Sequence, residues 1–246
     1  MYQAAYGELY SSLPHHPMMS RSSSPVERLA HARPSLRTLR PYLERATSFL
    51  EIGPGDCGVT IEAAKRPNIK QSYAVDVSEE QVDQFGWPEN LRFVKFDGQH
   101  VPLPDGVCDL AFTNQVIEHL HPEDEAVHLS EVHRLLRPGG KYVCVVPNQL
   151  TGPHDVSQHF DRVATGFHLN ETTNRHLATA MRAAGFFNVR CVLRIKDTVV
   201  EYPVGVTAAL ESALRRMRHD VAHVLGHLAP GQKLNLVNVT LVGVAR

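Results

Sequence analysis

From Ser48 onward, short apolar runs alternate with longer stretches whose apolar positions recur every three to four residues. The runs are Phe49–Ile52, Ser72–Val77, Leu91–Phe96, Val107–Thr113 and Lys141–Val146, each bounded by Gly, Pro, Asp or Asn. Their separation of roughly 15–25 residues suits parallel strands joined by crossover helices. One helix opens at Pro122 beside Glu123, Asp124 and Glu125, carries Leu129, Val132 and Leu136 as its stripe, and stops at Pro138-Gly139-Gly140. A second begins near Thr172 or Thr173, runs through Leu177, Met181 and Ala184, and ends at Gly185. Farther on, Leu210, Leu214, Met217, Val221, Leu225 and Leu228 share one helical stripe, and Leu234–Ala245 reads as a closing strand from its Val and Thr content. The pattern predicts a doubly wound α/β fold.

Residues 1–47 break this rhythm. They hold Pro-His-His-Pro at 14–17, a Ser-rich stretch, and six arginines against three glutamates. Leu29, Leu36, Leu39 and Leu43 lie among the arginines at helical spacing, which predicts a helical arm or lid rather than a basic nucleic-acid tail. One or two short helices are expected, the second around Ser35–Arg45 and interrupted at Pro41. Residues 48–246 form the main domain.

Composition narrows the chemistry. Lys plus Arg number 25 against 26 Asp plus Glu, so a nucleic-acid or membrane partner, which needs a positive field, is not expected. Cys57, Cys108, Cys144 and Cys191 are far apart, which fits neither a zinc knuckle nor a disulfide scaffold and points to a reducing cytoplasm. No signal peptide or spanning segment is read in the chain. The 15 histidines stand out, and their role is the open question.

In a sheet of this kind ligands bind beyond the carboxyl ends of the strands. After the first run comes Glu51-Ile-Gly53-Pro54-Gly55-Asp-Cys57-Gly58, a literal match to a dinucleotide fingerprint. Glu51 argues against that reading, since a carboxylate repels a pyrophosphate and attracts an ammonium. Asp76 ends the second run, where a carboxylate can accept both hydroxyls of a ribose. Asp97-Gly98 follows the third, Asn114-Gln-Val-Ile-Glu118-His119-Leu120 the fourth, and Leu135-Leu-Arg-Pro138-Gly-Gly-Lys141 leads into the fifth.

Taken together, these pieces over residues 48–192 resemble the class I S-adenosylmethionine-dependent methyltransferases, in particular the small-molecule group. The resemblance implies a Rossmann-like, mostly parallel seven-stranded sheet with an antiparallel last strand, and S-adenosylmethionine as cofactor. It places Glu51, Gly53, Pro54 and Gly55 at the methionine end, Asp76 and Val77 at the ribose and adenine edge, Asp97 and Gly98 beside the adenine, and Asn114 beneath the methyl donor. One departure is clear: the family's third glycine falls where this chain has Cys57.

The implied reaction is methyl transfer to a small-molecule, sugar or lipid-linked acceptor, with a hydroxyl favoured over an amine. A nicotinamide-dependent oxidoreductase and a non-catalytic S-adenosylmethionine-binding module are the alternatives. A hydroxyl acceptor needs a general base. The candidates are His119, just past the fourth strand, and His159 and His168 in the long segment Asn148–Asn170. Long loops of this kind often serve as lids, so 148–172 is expected to cover the acceptor. His154, Asp155, His159 and Asp161 have metal-like spacing, but no H-E-x-x-H and no Cys/His quartet occurs, so no metal is expected. His219, His223 and His227 fall opposite the leucine stripe and read as a solvated face.

Overall fold

In the computed structural model, which describes residues 24–79, 87–217, 225, 228 and 235–246, Phe49 and Leu50 point to opposite sides of strand β1 (Ser48–Ile52). Every residue of that strand is buried, which explains the unbroken apolar run: a central strand covered on both faces has no polar side. β1 pairs in parallel with β2 (Gln71–Asp76) on one edge and β4 (Cys108–Asn114) on the other; β3 (Leu91–Lys95) and β5 (Leu136–Pro147) extend the parallel sheet outward. β8 (Asn238–Val244) runs antiparallel beside β5, followed by the hairpin β6 (Phe187–Ile195) and β7 (Thr198–Pro203). The order is β3-β2-β1-β4-β5-β8-β6-β7. The sheet is thus doubly wound with eight strands, one more than the seven expected, and its strand order reverses between β1 and β4, the point where such sheets open a ligand crevice.

Two helical layers enclose it. On the Phe49 side, α1 (Pro25–Leu43) and α2 (Gly58–Ala64) pack Leu39, Leu43, Val59 and Ala63 against Leu110, Phe112 and Val143. On the Leu50 side, α3 (Glu125–Leu135) and α4 (Asn174–Ala183) supply Leu129, Val132, Leu177 and Met181. The expected ends of α4 hold: the Thr173 hydroxyl accepts the His176 amide, and Gly185 takes φ +104° past its last turn. The Pro122 segment is a short 3-10 turn that leads into α3.

Two helix expectations need correction. Among the described residues of the N-terminal arm, the expected interruption at Pro41 is absent: a 19-residue helix continues through both Pro34 and Pro41. An interior proline costs about 3 kcal/mol, but α1 buries Leu39, Tyr42 and Leu43 almost completely, and each is worth about 1.5–3 kcal/mol. The leucine stripe at 210–228 does not bury as one face. Helix α5 (Val204–Leu214) ends within it, and Met217, Leu225 and Leu228 are exposed; His219, His223 and His227 lie outside the described residues.

Candidate active site

The loop leaving β1 is shaped by what it must pass. The Gly53 amide donates to Val75 O of β2 at 2.9 Å, with φ +68°, a left-handed backbone that favours glycine. A Cβ there would sit 2.5 Å from Val116 Cγ2. The loops after β1 and β4 therefore touch at this point. Cys57 takes φ +60°, a left-handed backbone that favours glycine. Gly58 serves a different purpose: a Cβ on it would lie 2.9 Å from the Arg28 carbonyl oxygen. The last glycine of the literal fingerprint thus admits helix α1 instead of a pyrophosphate.

Carboxylates line this crevice. Glu51 is buried and accepts the Thr60 hydroxyl; desolvation pushes its pKa up to about 8, with Asp56 and Asp76 raising it further. Burial also lifts Asp76 to about 6, even though its Oδ1 accepts the Ser78 amide at 3.2 Å. Asp97 differs. It is exposed, and its Oδ1 accepts the Gln99 and His100 amides, both at 2.8 Å, which hold it below the usual carboxylate range. Gly98 beside it has φ +97°, and Asn114 is exposed at the end of β4. This acidic surround suits a ligand that carries positive charge and hydroxyl donors, and it disfavours a diphosphate. S-adenosylmethionine, with an ammonium, a sulfonium and a ribose diol, fits these residues.

Beyond the end of β4, residues from two distant segments converge. Glu118 and His119 lie in a 3-10 turn just after β4. The Leu169 and Asn170 amides donate to the Glu118 carbonyl oxygen at 2.6 and 3.1 Å, which brings His168 alongside. The ring centroids of His119 and His168 are 5.1 Å apart in an edge arrangement. His119 Nδ1 lies 3.1 Å from Phe167 O, and burial holds its pKa down. His168 Nδ1 lies 2.8 Å from Glu171 Oε1. Burial pulls His168 down, but the bond to Glu171 and the charges of Glu118, Glu171 and Asp155 outweigh it and leave the pKa raised. His159, the third candidate, is exposed and does not join the pair. Asp155, weighed as a metal ligand, instead ties its own loop together through the Ser157, Gly166 and His168 amides.

Glu118 and Glu171 also belong to this cluster, although neither is among the residues expected from the sequence. Glu118 is completely buried, and desolvation raises its pKa to about 8. The available signal was its place beside His119 in the Val-x-Glu-His-Leu stretch; nothing local marks Glu171. At the base of this lobe, Glu211 of α5 accepts Asn148 Nδ2 at 2.8 Å and the Asn174 amide at 3.0 Å, fixing the end of β5 to the start of α4. Beside it lies a cavity of about 500 Å³ lined by Leu150, Arg162, Val163, Glu171, Leu214 and Arg215.

Residues 50–144 match the methyltransferase-domain family. A probable S-adenosylmethionine-dependent methyltransferase of Mycolicibacterium smegmatis is 36% identical over 100 residues, covering 39% of this chain and 37% of that one. The malonyl-[acyl-carrier protein] O-methyltransferase of a Marinomonas species is 30% identical over 106 residues, covering 41% and 38%. The matches thus span about two fifths of these relatives' lengths. Among solved structures, the Burkholderia thailandensis 1,6-didemethyltoxoflavin-N1-methyltransferase superposes with a TM-score of 0.59 at 18% identity, covering 99% of this chain and 87% of that one. An S-adenosylmethionine-dependent methyltransferase from Archaeoglobus fulgidus gives 0.57 at 19% identity, covering 88% and 94%. The sheet order and these matches give the chain the fold of the class I S-adenosylmethionine-dependent methyltransferases, and its residues 50–144 are similar to their methyltransferase domain.

Proposed function

We propose that the protein transfers a methyl group from S-adenosylmethionine to an oxygen of a small-molecule, sugar or lipid-linked acceptor. The observation that carries the donor half is the pair of carboxylates at the ends of adjacent strands, buried Glu51 and half-buried Asp76, whose charge raises the pKa of Glu51. Bound S-adenosylmethionine supplies a methyl already activated by a positive sulfur, so the protein's work is alignment and desolvation. Glu51, with the Gly53-Pro54-Gly55 turn, holds the ammonium end, while Asp76 and Val77 hold the ribose and adenine edge. Gly98 leaves room beside the adenine, and Asp97 shapes that loop. Asn114 lies at the floor. The nicotinamide alternative loses support because Glu51, in the glycine loop, would face a diphosphate.

The acceptor half is supported by the cavity beside Glu171, with apolar Leu150, Val163 and Leu214 and two guanidinium groups, Arg162 and Arg215. Such a lining suits a molecule with an apolar body and an acidic or polyhydroxyl end, covered by segment 148–172. His119 and His168 are the candidate bases for the acceptor proton, leaving His159 aside. Calorimetric titration tests the donor half: S-adenosylhomocysteine should bind and NADH should not, and the reverse result would refute the reading. Incubating labelled donor with hydroxylated aromatic and glycan acceptors tests the other half. Binding without transfer to any of them would favour a non-catalytic module.

A further inference from the structure

Glu118 presents a problem that methyl transfer alone does not resolve. Its side chain is completely buried, yet neither carboxylate oxygen has a hydrogen-bond partner among the described residues. Buried polar atoms are almost always paired, and an unpaired carboxylate is among the most costly exceptions. What lies near it is two imidazoles. One ligand atom from each of Glu118, His119 and His168 falls within 4.8 Å of the others.

We propose that Glu118, His119 and His168 form a binding site for a divalent transition-metal cation, of the zinc, manganese or iron(II) kind. Imidazole nitrogens and one carboxylate suit such ions better than the all-oxygen sets preferred by magnesium or calcium. Three protein ligands leave positions open for water or an acceptor, as in catalytic rather than structural sites. Bonds of about 2.0–2.2 Å put tetrahedral ligand atoms about 3.4 Å apart, so small side-chain rotations close the set.

The surrounding groups point the same way. Metal-binding histidines commonly donate their other ring nitrogen to a carboxylate or backbone carbonyl, which fixes the tautomer. Both rings do this here: His119 Nδ1 faces Phe167 O at 3.1 Å and His168 Nδ1 faces Glu171 Oε1 at 2.8 Å. Glu171 is itself held, since its Oε1 accepts the His154 amide at 2.7 Å. The backbone locks the two halves of the set together, because the amides following His168 bind the carbonyl of Glu118. Val116, two residues before Glu118, packs on Gly53, so the set lies beside the donor loop. If the methyl-transfer reading holds, the cation would orient an acceptor hydroxyl and ease loss of its proton. Cation binding itself does not depend on that reading.

The test uses the whole protein, stripped with EDTA and titrated with Zn²⁺ and Co²⁺. Bound metal is counted by mass spectrometry, and Co²⁺ is followed by its visible absorption. One ion per chain is expected, with the spectrum of a nitrogen–oxygen site. Glu118→Gln and His168→Ala should each weaken binding by about 100-fold and Glu171→Gln by about tenfold, while His100→Ala on the surface changes nothing. Should the variants unfold, Mn²⁺ broadening of the His119 and His168 imidazole signals in the unaltered protein decides the matter. Substoichiometric binding, wild-type affinity in folded Glu118→Gln, or broadening confined to other histidines would overturn the site. S-adenosylhomocysteine is titrated in EDTA alongside. Binding of that product together with failure of the metal titration rejects the cation site alone, and metal binding with no binding of that product rejects the donor reading alone.

Discussion

Val116 Cγ2 occupies the space that a side chain on Gly53 would need. This single contact joins the loop proposed to receive the cofactor to the turn that carries Glu118 and His119. Gly53→Ala therefore faces two penalties, a left-handed backbone and a clash with a branched side chain. A loss of about 1–3 kcal/mol is expected, read as a lower melting temperature, together with weaker S-adenosylhomocysteine binding by calorimetry. An unchanged melt and affinity would mean that the two loops are not coupled here.

Asp76 makes cofactor affinity depend on pH. Desolvation raises this carboxyl to about 6 without ligand, and a ribose diol donates more strongly, and with both hydroxyls, to its ionised form. Affinity for S-adenosylhomocysteine should be full above pH 7 and fall below pH 6, by up to tenfold per unit. Asp76→Asn should lose about 1–3 kcal/mol of binding and flatten that slope. The same slope in the variant would assign the titration elsewhere.

Glu51 should trade stability for binding. Its folded pKa, raised from 4.5 to about 8 by burial, means that the native state favours the protonated form. That contribution is complete below pH 4.5 and is lost as pH rises through 8. Glu51→Gln can still accept the Thr60 hydroxyl but carries no charge. At pH 9 it should be more stable than the ligand-free parent by on the order of 2–4 kcal/mol, near parity at pH 4, and poorer at holding the cofactor. Melting curves at the two pH values check the sign.

His128 of α3 works in the opposite direction. It is buried, its Nε2 lacks a partner among the described residues, and desolvation lowers its pKa to about 4, opposed by Glu131. Its neutral form contributes stability above pH 6.5 that is lost as pH falls through 4. His128→Leu should resist acid better, by up to about 3 kcal/mol at pH 4, with little change at pH 8. Equal acid midpoints for the two proteins would show that His128 does not drive acid unfolding.

The parallel half of the fold was legible because strands buried on both faces must be apolar throughout, and β1, β2 and β4 are written that way. The hairpin β6–β7 was not. Its two-residue connection, Lys196-Asp197, carries no glycine or asparagine, although Lys196 adopts φ +55°, so the usual hairpin signal is missing. At the site, Glu51 and Asp76 were readable as acids at strand ends. Glu118 and Glu171 were not, because their roles come from contacts with His168, 50 and 3 residues away, that only the folded chain creates. His159 lies exposed and away from the His119–His168 pair for a related reason: loop membership says nothing about which side of the loop faces inward.

The contact between Gly58 and the Arg28 carbonyl also bears on how short a fragment could stand alone. The family match opens at residue 50, yet Phe49, Val59 and Ala63 rest against Leu39, Tyr42 and Leu43 of the preceding helix. A fragment started at the edge of the match would leave one face of its sheet stripped of cover. It should come out of expression as aggregate, whereas a fragment started at Ser24 should stay folded. The boundary drawn by family likeness and the boundary required for folding are thus separated by the length of one helix.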